Sequence, residues 1–215
     1  RTGDTLYRIS ATDALRGETI EAIDLVRELP VSVPAHLLEN VYVRGAQEIF
    51  ADTIRSGRAA SYAAISRVLG VEHRKQWYTR GIMPVTLFST FCSRYGVEDY
   101  AGVTIGVTGS EHELPALLAL TPELIRLLGF FVSEGNYNVA PEVGQYNLAI
   151  TENHQAPAIQ AAACAVLNTY ATITGGTPDT TTIYGVEAER NRALQVYFGG
   201  KAAYLLFRYV FGIPE

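Results

Sequence analysis

No stretch of this chain limits its folding as strongly as the run from Thr121 to Gly135, Thr-Pro-Glu-Leu-Ile-Arg-Leu-Leu-Gly-Phe-Phe-Val-Ser-Glu-Gly. Thr121 is a natural N-cap, Pro122 suits the first helical position, and Glu123 complements the positive end of the helix dipole. Apolar residues follow almost all round the helix, which predicts cover on nearly every side. Gly129 in its middle costs about 1 kcal/mol relative to alanine, and close approach of a second helix is the natural compensation. Glu134 then places a carboxylate at the negative end of the dipole, beside helix-end carbonyls that, like the carboxylate, are hard oxygen donors. A plainer reading is that Glu134 ends a core helix facing water.

Downstream the pattern predicts strands at Tyr137–Ala140 and Gln145–Glu152 around a turn at Pro141-Glu142-Val143-Gly144. A helix over about Gln155–Tyr170 follows, then strands at Thr180–Val186 and Leu194–Phe198, and a last helix at Ala202–Phe211. The order α-β-β-α-β-β-α gives an α+β fold. Alternation with period two puts Gln145, Asn147, Thr151 and Asn153 on one face of the second strand, and Tyr146, Leu148 and Ile150 on the other. Asn136 and Asn138 extend the polar face. Uncharged donors and acceptors suit base edges in a major groove, although solvated antiparallel sheets also carry polar faces. Arg190, Arg192 and Lys201 are candidates for phosphate contact.

Upstream, residues 1–35 read as the edge of something larger. A short strand pattern at Thr5–Ile9 and a helix near Glu18–Leu29 close at the extended linker Pro30-Val31-Ser32-Val33-Pro34. Residues 36–113 read as a helical module whose short helices are separated by glycines, ending in a loop at Gly102–Glu113. Within it, a helix from Ser61 to Leu69, a turn at Gly70 and a helix over Glu72–Thr79 have the layout of a helix-turn-helix reader. Arg74, Lys75, Gln76 and Arg80 would then lie at DNA, the first two chiefly on phosphates. The alternative is an ordinary helical hairpin with a solvated basic face.

Charge bears on both readings. The net charge of -5 opposes a nucleic-acid partner, yet residues 40–95 hold eight Lys and Arg against three Asp and Glu, a localised basic footprint in an acidic chain. Cys92 and Cys164 fit neither a zinc-ligand spacing nor a disulfide framework, and His36, His73, His112 and His154 stand singly, which argues against a transition-metal enzyme. The apolar stretches break well before the roughly 20 residues of a membrane span. With acidic Asp4 where a secretory signal would be basic, the expectation is an intracellular, cytoplasmic protein without a membrane partner.

Leu127-Leu128-Gly129-Phe130-Phe131-Val132-Ser133-Glu134-Gly135 resembles the LAGLIDADG motif in the form it takes within inteins. Gly144–Asn153 and the closing Tyr197–Glu215 are similar to the endonuclease domains of archaeal DNA polymerase inteins. The likeness covers residues 114–215 well, as one LAGLIDADG repeat, and 1–113 loosely, as a splicing-domain edge and a DNA-recognition insert. It implies that Gly129 is a close-packing glycine, that Glu134, with Gly135 beside it, holds a divalent metal, usually Mg²⁺, and that double-stranded DNA is the substrate. The motif occurs once in these 215 residues, so a second repeat, from a further C-terminal half or a second copy, is expected to complete the site. A chain that binds DNA without cutting it, or a structural insert with neither activity, is the alternative.

Overall fold

The structure is a computed structural model that describes residues 21–152, 154–175, 178–183, 186–191 and 193–215; the strand expected at Thr5–Ile9 lies outside them. The chain divides into two compact units. Of the described residues, those up to Leu120 form one with Leu205–Pro214, and those of Thr121–Tyr204 form the other with Glu215.

In the first unit a short strand, β1 (Ala22–Asp24), leads into α1 (Leu25–Ser32). Asp24 caps this helix by accepting from the Arg27 amide at 3.2 Å, and Tyr100 donates its hydroxyl to the same carboxylate. Pro30 was expected to start an extended linker. It lies inside α1 instead, because only two helical residues follow it and the single hydrogen bond it forgoes is offset by burying Leu25, Val26 and Leu29. After β2 (Val41–Arg44) come α2 (Gln47–Arg55), α3 (Tyr62–Val68), α4 (Lys75–Arg80), β3 (Met83–Pro84), α5 (Val85–Tyr95), β4 (Thr104–Val107), β5 (Glu113–Pro115) and β6 (Leu117–Ala119).

The all-helical reading of residues 36–113 is therefore corrected. A four-stranded antiparallel sheet in the order β3-β2-β4-β5 runs through this region, and β1 pairs with β6. Val41 and Val43 of β2 alternate with the half-buried Tyr42 and Arg44, and Val41 faces Val107 while Val43 faces Ile105. The stretch expected to be a loop at Gly102–Glu113 thus contains a strand. Its small Thr and Gly residues are accepted because Ile105 and Val107 are buried under the neighbouring elements.

Phe50 organises the helical side of this unit. Its ring meets Tyr78, Phe88 and Phe91 edge-on, with centroids 5.2, 5.9 and 5.0 Å away, the arrangement aromatic quadrupoles favour. Three helices are thereby joined through one buried side chain. Cys92 lies in the same interior, where burial, with the Asp24 charge adding to it, pushes its thiol up to about 12.

The second unit begins with α6 (Pro122–Glu134), capped by Thr121, which accepts from the Leu124 amide at 3.2 Å. It runs straight into β7 (Gly135–Ala140), and a 3-10 turn at Pro141–Val143 with Gly144 in the left-handed region leads to β8 (Gln145–Thr151). Helix α7 (Ala156–Leu167) stops short of the expected Tyr170, because Asn168 takes a left-handed φ of 46°. Strands β9 (Ala171–Thr174), β10 (Pro178–Ile183), β11 (Val186–Asn191) and β12 (Gln195–Gly199) follow. Helix α8 (Lys201–Leu205) comes next, and the π-helical turn after it (Leu206–Val210) belongs to the first unit.

The expected strand pair Thr180–Val186 with Leu194–Phe198 is corrected. β12 pairs with β8 and with β9, which was not anticipated, while β10 and β11 pair only with each other as a separate hairpin. The sheet order is β7-β8-β12-β9, all antiparallel. Leu148, Ile150, Val196 and Phe198 from this sheet are buried, as are Leu124, Leu127, Leu128 and Phe131 of α6 and Ile159, Ala163 and Leu167 of α7.

Two outcomes test this account. Phe50→Ala should lower stability by about 3–5 kcal/mol, read as a shift of the urea midpoint. Cys92 should resist a thiol reagent at pH 8 in the native protein, whereas Cys164, which is exposed, reacts; both should react in denaturant. Because the Cys92 thiol keeps its proton in the fold to about 12 against an ordinary 9, the unfolded chain releases that proton first. Its contribution to stability is therefore present below pH 9 and is lost as the pH rises toward 12.

Candidate functional site

Backbone register decides what the second unit's sheet presents. Asn136 faces Ala149, Asn138 faces Asn147 and Ala140 faces Gln145; Thr151 faces Gln195 and Ala149 faces Tyr197; Gln195 faces Thr174 and Tyr197 faces Thr172. Residues directly opposite share a face. One face thus gathers Asn136, Asn138, Gln145, Asn147, Thr151, Gln195, Tyr197, Thr172 and Thr174, none of them charged. Ala149 lies at its centre and is wholly buried. The other face carries Tyr137, Tyr146, Leu148, Ile150, Val196 and Phe198, with the ring of Phe131 from α6 5.1 Å from Tyr137 and 6.3 Å from Phe198.

The polar face is internally tied. Gln145 Nε2 donates to Asn138 Oδ1 at 3.2 Å, and Gln195 Nε2 to Thr151 Oγ1 at 3.4 Å. Tyr170 donates its hydroxyl to Asn147 Oδ1 at 2.7 Å, and Tyr197 to Gln195 Oε1 at 2.8 Å. These bonds orient the amides of Asn138, Gln145, Asn147 and Gln195 and still leave further donors and acceptors on each group.

Asn136, Asn138, Gln145, Asn147 and Thr151 are brought together as the sequence predicts. Gln195, Tyr197, Thr172, Thr174 and Tyr170 were missed. The alternation of Gln195 and Tyr197 about Val196 could have revealed two of them; the β9 residues were hidden because Ala-Thr-Ile-Thr is too short to show a period. Lys201 is not placed on this face. Its ammonium lies 5.7 Å from the centre of the Tyr146 ring, and Tyr146 belongs to the opposite side of β8. Asn153 and Arg192 lie outside the described residues. Arg190 is in β11, opposite Asp179.

Glu134 is the last residue of α6 and is exposed. The helix passes into β7 without a loop. The amide of Gly135 bonds back to the Phe131 carbonyl, and a Cβ on Gly135 would stand 2.3 Å from that oxygen and 2.5 Å from the Phe131 ring. Only glycine permits this junction, so it fixes Glu134 next to Asn136 at the start of the polar face. Among the described residues no group of three or more His, Cys, Asp or Glu side chains converges. What Glu134 offers is one exposed carboxylate of hard oxygen character, a donor type that suits Mg²⁺, which is commonly held by one or two carboxylates and otherwise by water.

The cover expected on nearly every side of α6 is corrected. Leu124, Leu127, Leu128 and Phe131 are buried, but Ile125 and Val132 are 53% and 56% exposed. Gly129 lies between them at helical spacing, with nothing within 4 Å of the position its Cβ would take. Among the described residues no helix stands against this glycine.

In the first unit, Arg74, Lys75, Gln76 and Arg80 are all exposed. The second helix of the predicted hairpin starts at Lys75 rather than Glu72, with Arg74 as its N-cap. Compared with known proteins, the chain matches no family model, no curated protein and no solved structure.

Replacing Gly135 by Ala should cost about 1–3 kcal/mol, as for other overpacked sites, read by urea unfolding. The amide resonances of Glu134 and Asn136 should shift far more than those of the first unit.

Proposed function

We propose that this chain supplies one half of a metal-dependent, site-specific DNA endonuclease of the LAGLIDADG type. The observation that carries the reading is that exposed Glu134 ends α6 two residues before Asn136, where an uncharged sheet face rich in amide and hydroxyl groups begins. Three further features support it. Leaving aside the β10–β11 hairpin, the second unit's order α6-β7-β8-α7-β9-β12-α8 is the α-β-β-α-β-β-α expected of one repeat. The stripe Ile125, Gly129 and Val132 on α6 offers an open, apolar, small-residue seat for a second motif helix. The polar face extends over four strands, enough for several base pairs.

In this mechanism Asn136, Asn138, Gln145, Asn147, Thr151 and Gln195 read base edges in the major groove, where amides pair with adenine and hydroxyls accept several partners. Tyr170 and Tyr197 orient the amides before DNA arrives, so little side-chain freedom is lost on binding. When bound, Mg²⁺ would supply Lewis-acid chemistry, a more acidic water and charge stabilisation at the phosphate. Glu134 would be this chain's carboxylate ligand to the ion, held in place by the Gly135 backbone, and a second motif helix seated on Gly129 would contribute the second carboxylate. The absence of charge on the sheet face keeps the DNA phosphates near Glu134 free of competing ion pairs.

The test is cleavage of genomic DNA by the protein in Mg²⁺, read as discrete ends by sequencing. Discrete breaks that vanish with EDTA, and fall at least about 100-fold in Glu134→Gln, are the expected result, since metal-mediated charge stabilisation contributes several kcal/mol. Cleavage by Glu134→Gln at the parent rate, or equal cleavage in EDTA, overturns the reading.

A further inference from the structure

The first unit holds a basic surface that the endonuclease reading does not use. Between Ser61 and Gly81 the chain carries Arg67, Arg74, Lys75 and Arg80 against a single acid, Glu72. All four cations are exposed, and among the described residues none of them forms an ion pair. Elsewhere in the unit three of the described cations are paired with acids, while Arg58 bonds to the Tyr95 carbonyl and Arg94 stands in no ion pair among the described residues. Arg27 is paired with Asp24, Arg44 with Glu113, and Arg55 with both Glu48 and Asp52. An acidic protein that leaves one cluster of cations unneutralised keeps a local positive potential there.

The hairpin carrying this charge is held rigidly. Ser61 caps α3, accepting from the Ala64 amide at 3.2 Å, and Gly70 turns the chain at φ +70°. Ser66, buried on α3, is 2.6 Å from the Tyr78 hydroxyl and 3.3 Å from His73 Nδ1, so the connection and α4 are both bonded back to α3. The Tyr78 ring stacks with Tyr62 and with His73, centroids 4.9 and 5.6 Å apart, and meets Phe50 on the inside. The far end of α4 is fixed as well. Gly81, at φ +64°, approaches the start of α2 so closely that a Cβ would lie 2.4 Å from the Gln47 amide nitrogen.

With Tyr78 turned inward, α4 presents Lys75, Gln76, Thr79 and Arg80 on one continuous outer strip, at spacings i, i+1, i+4 and i+5. The two middle groups can hydrogen-bond or pack in ways that tell bases apart. Thr79 spends its hydroxyl on the Lys75 carbonyl at 3.2 Å, which leaves its methyl as the exposed group. Arg74 is steadied with its guanidinium 5.2 Å from the centre of the Trp77 ring.

We infer that the α3–α4 hairpin is a duplex-DNA binding site in its own right, with the Lys75, Gln76, Thr79 and Arg80 strip of α4 lying in the major groove. The helix is about 9 Å long, which spans roughly three base pairs. Arg80 matches guanine O6 and N7, Gln76 matches adenine N6 and N7, and the Thr79 methyl matches the thymine methyl. Arg74 and Lys75 contact phosphates. Duplex RNA is a poorer fit, because its major groove is too narrow for a helix. This site does not depend on whether the second unit cuts DNA.

The experiment uses the whole chain carrying Glu134→Gln, in EDTA, so that cleavage plays no part. Binding to a fluorescein-labelled 40-base-pair duplex of random sequence is followed by anisotropy from 50 to 200 mM salt. The parent should bind with a steep salt dependence. Arg74→Ala with Lys75→Ala should reduce the slope of log affinity against log salt by about 2 and weaken binding at least 10-fold at 100 mM salt, with an unchanged urea midpoint. In sites selected from a randomised duplex pool, Gln76→Ala and Thr79→Ala should each relax preference at one position and leave the slope alone. Absence of duplex binding by the parent, an unchanged slope in the double variant, or equal binding to duplex RNA overturns the inference. So does a loss of slope that follows Asn138→Ala and Asn147→Ala instead. None of these outcomes bears on cleavage, which the Mg²⁺ assay reads separately.

Discussion

The second unit depends on how α6 becomes β7. A helix normally needs several residues to leave its axis and enter a strand, and a side chain placed there would be carried on a mobile loop. Here Gly135 lies so close to the Phe131 carbonyl and ring that no Cβ can be inserted, and the strand register begins at that residue, opposite Ile150. The carboxylate of Glu134 is thereby tied to the same rigid frame as Asn136 and Asn138. In the proposed enzyme such a frame would hold Glu134 in register with its substrate, because misplacement by even 1 Å is costly to chemistry.

Burial and exposure are divided unequally on that helix. One side supplies Leu124, Leu127, Leu128 and Phe131 to the unit's own core, and an adjoining side leaves Ile125, Gly129 and Val132 exposed among the described residues. The helix is long enough, and its apolar composition high enough, to serve two interfaces. In the proposed enzyme the second is with another motif helix, and glycine at its centre would let the two backbones come together.

The first unit solves a different problem. Phe50 ties together three helices through edge-on ring contacts, and Tyr78 extends that cluster to the hairpin surface. Several acids are consumed locally in pairing with Arg27, Arg44 and Arg55, while the hairpin cations keep their field. Segmental charge, rather than the total, therefore governs what this surface attracts.

Much of this was legible in the residue order. The caps at Ser61 and Thr121, the turns at Gly70 and Gly144, the α6-β7-β8-α7 series and the polar alternation of β8 follow from local rules that need only near neighbours. The sheet inside residues 36–113 was not legible, because β4 is rich in Thr and Gly and is a strand only through pairing with Val41–Arg44, some sixty residues away. The β9–β12 pairing was hidden likewise, since the intervening β10–β11 hairpin offers more obvious strand partners than the short β9. The α+β class, the position of Glu134 and the basic hairpin were thus set by the sequence alone, through capping, periodicity and charge. Which strands share a face, that Lys201 lies away from it and that Gly129 stands open were decided by tertiary packing, because each depends on contacts between segments whose separation no local pattern encodes.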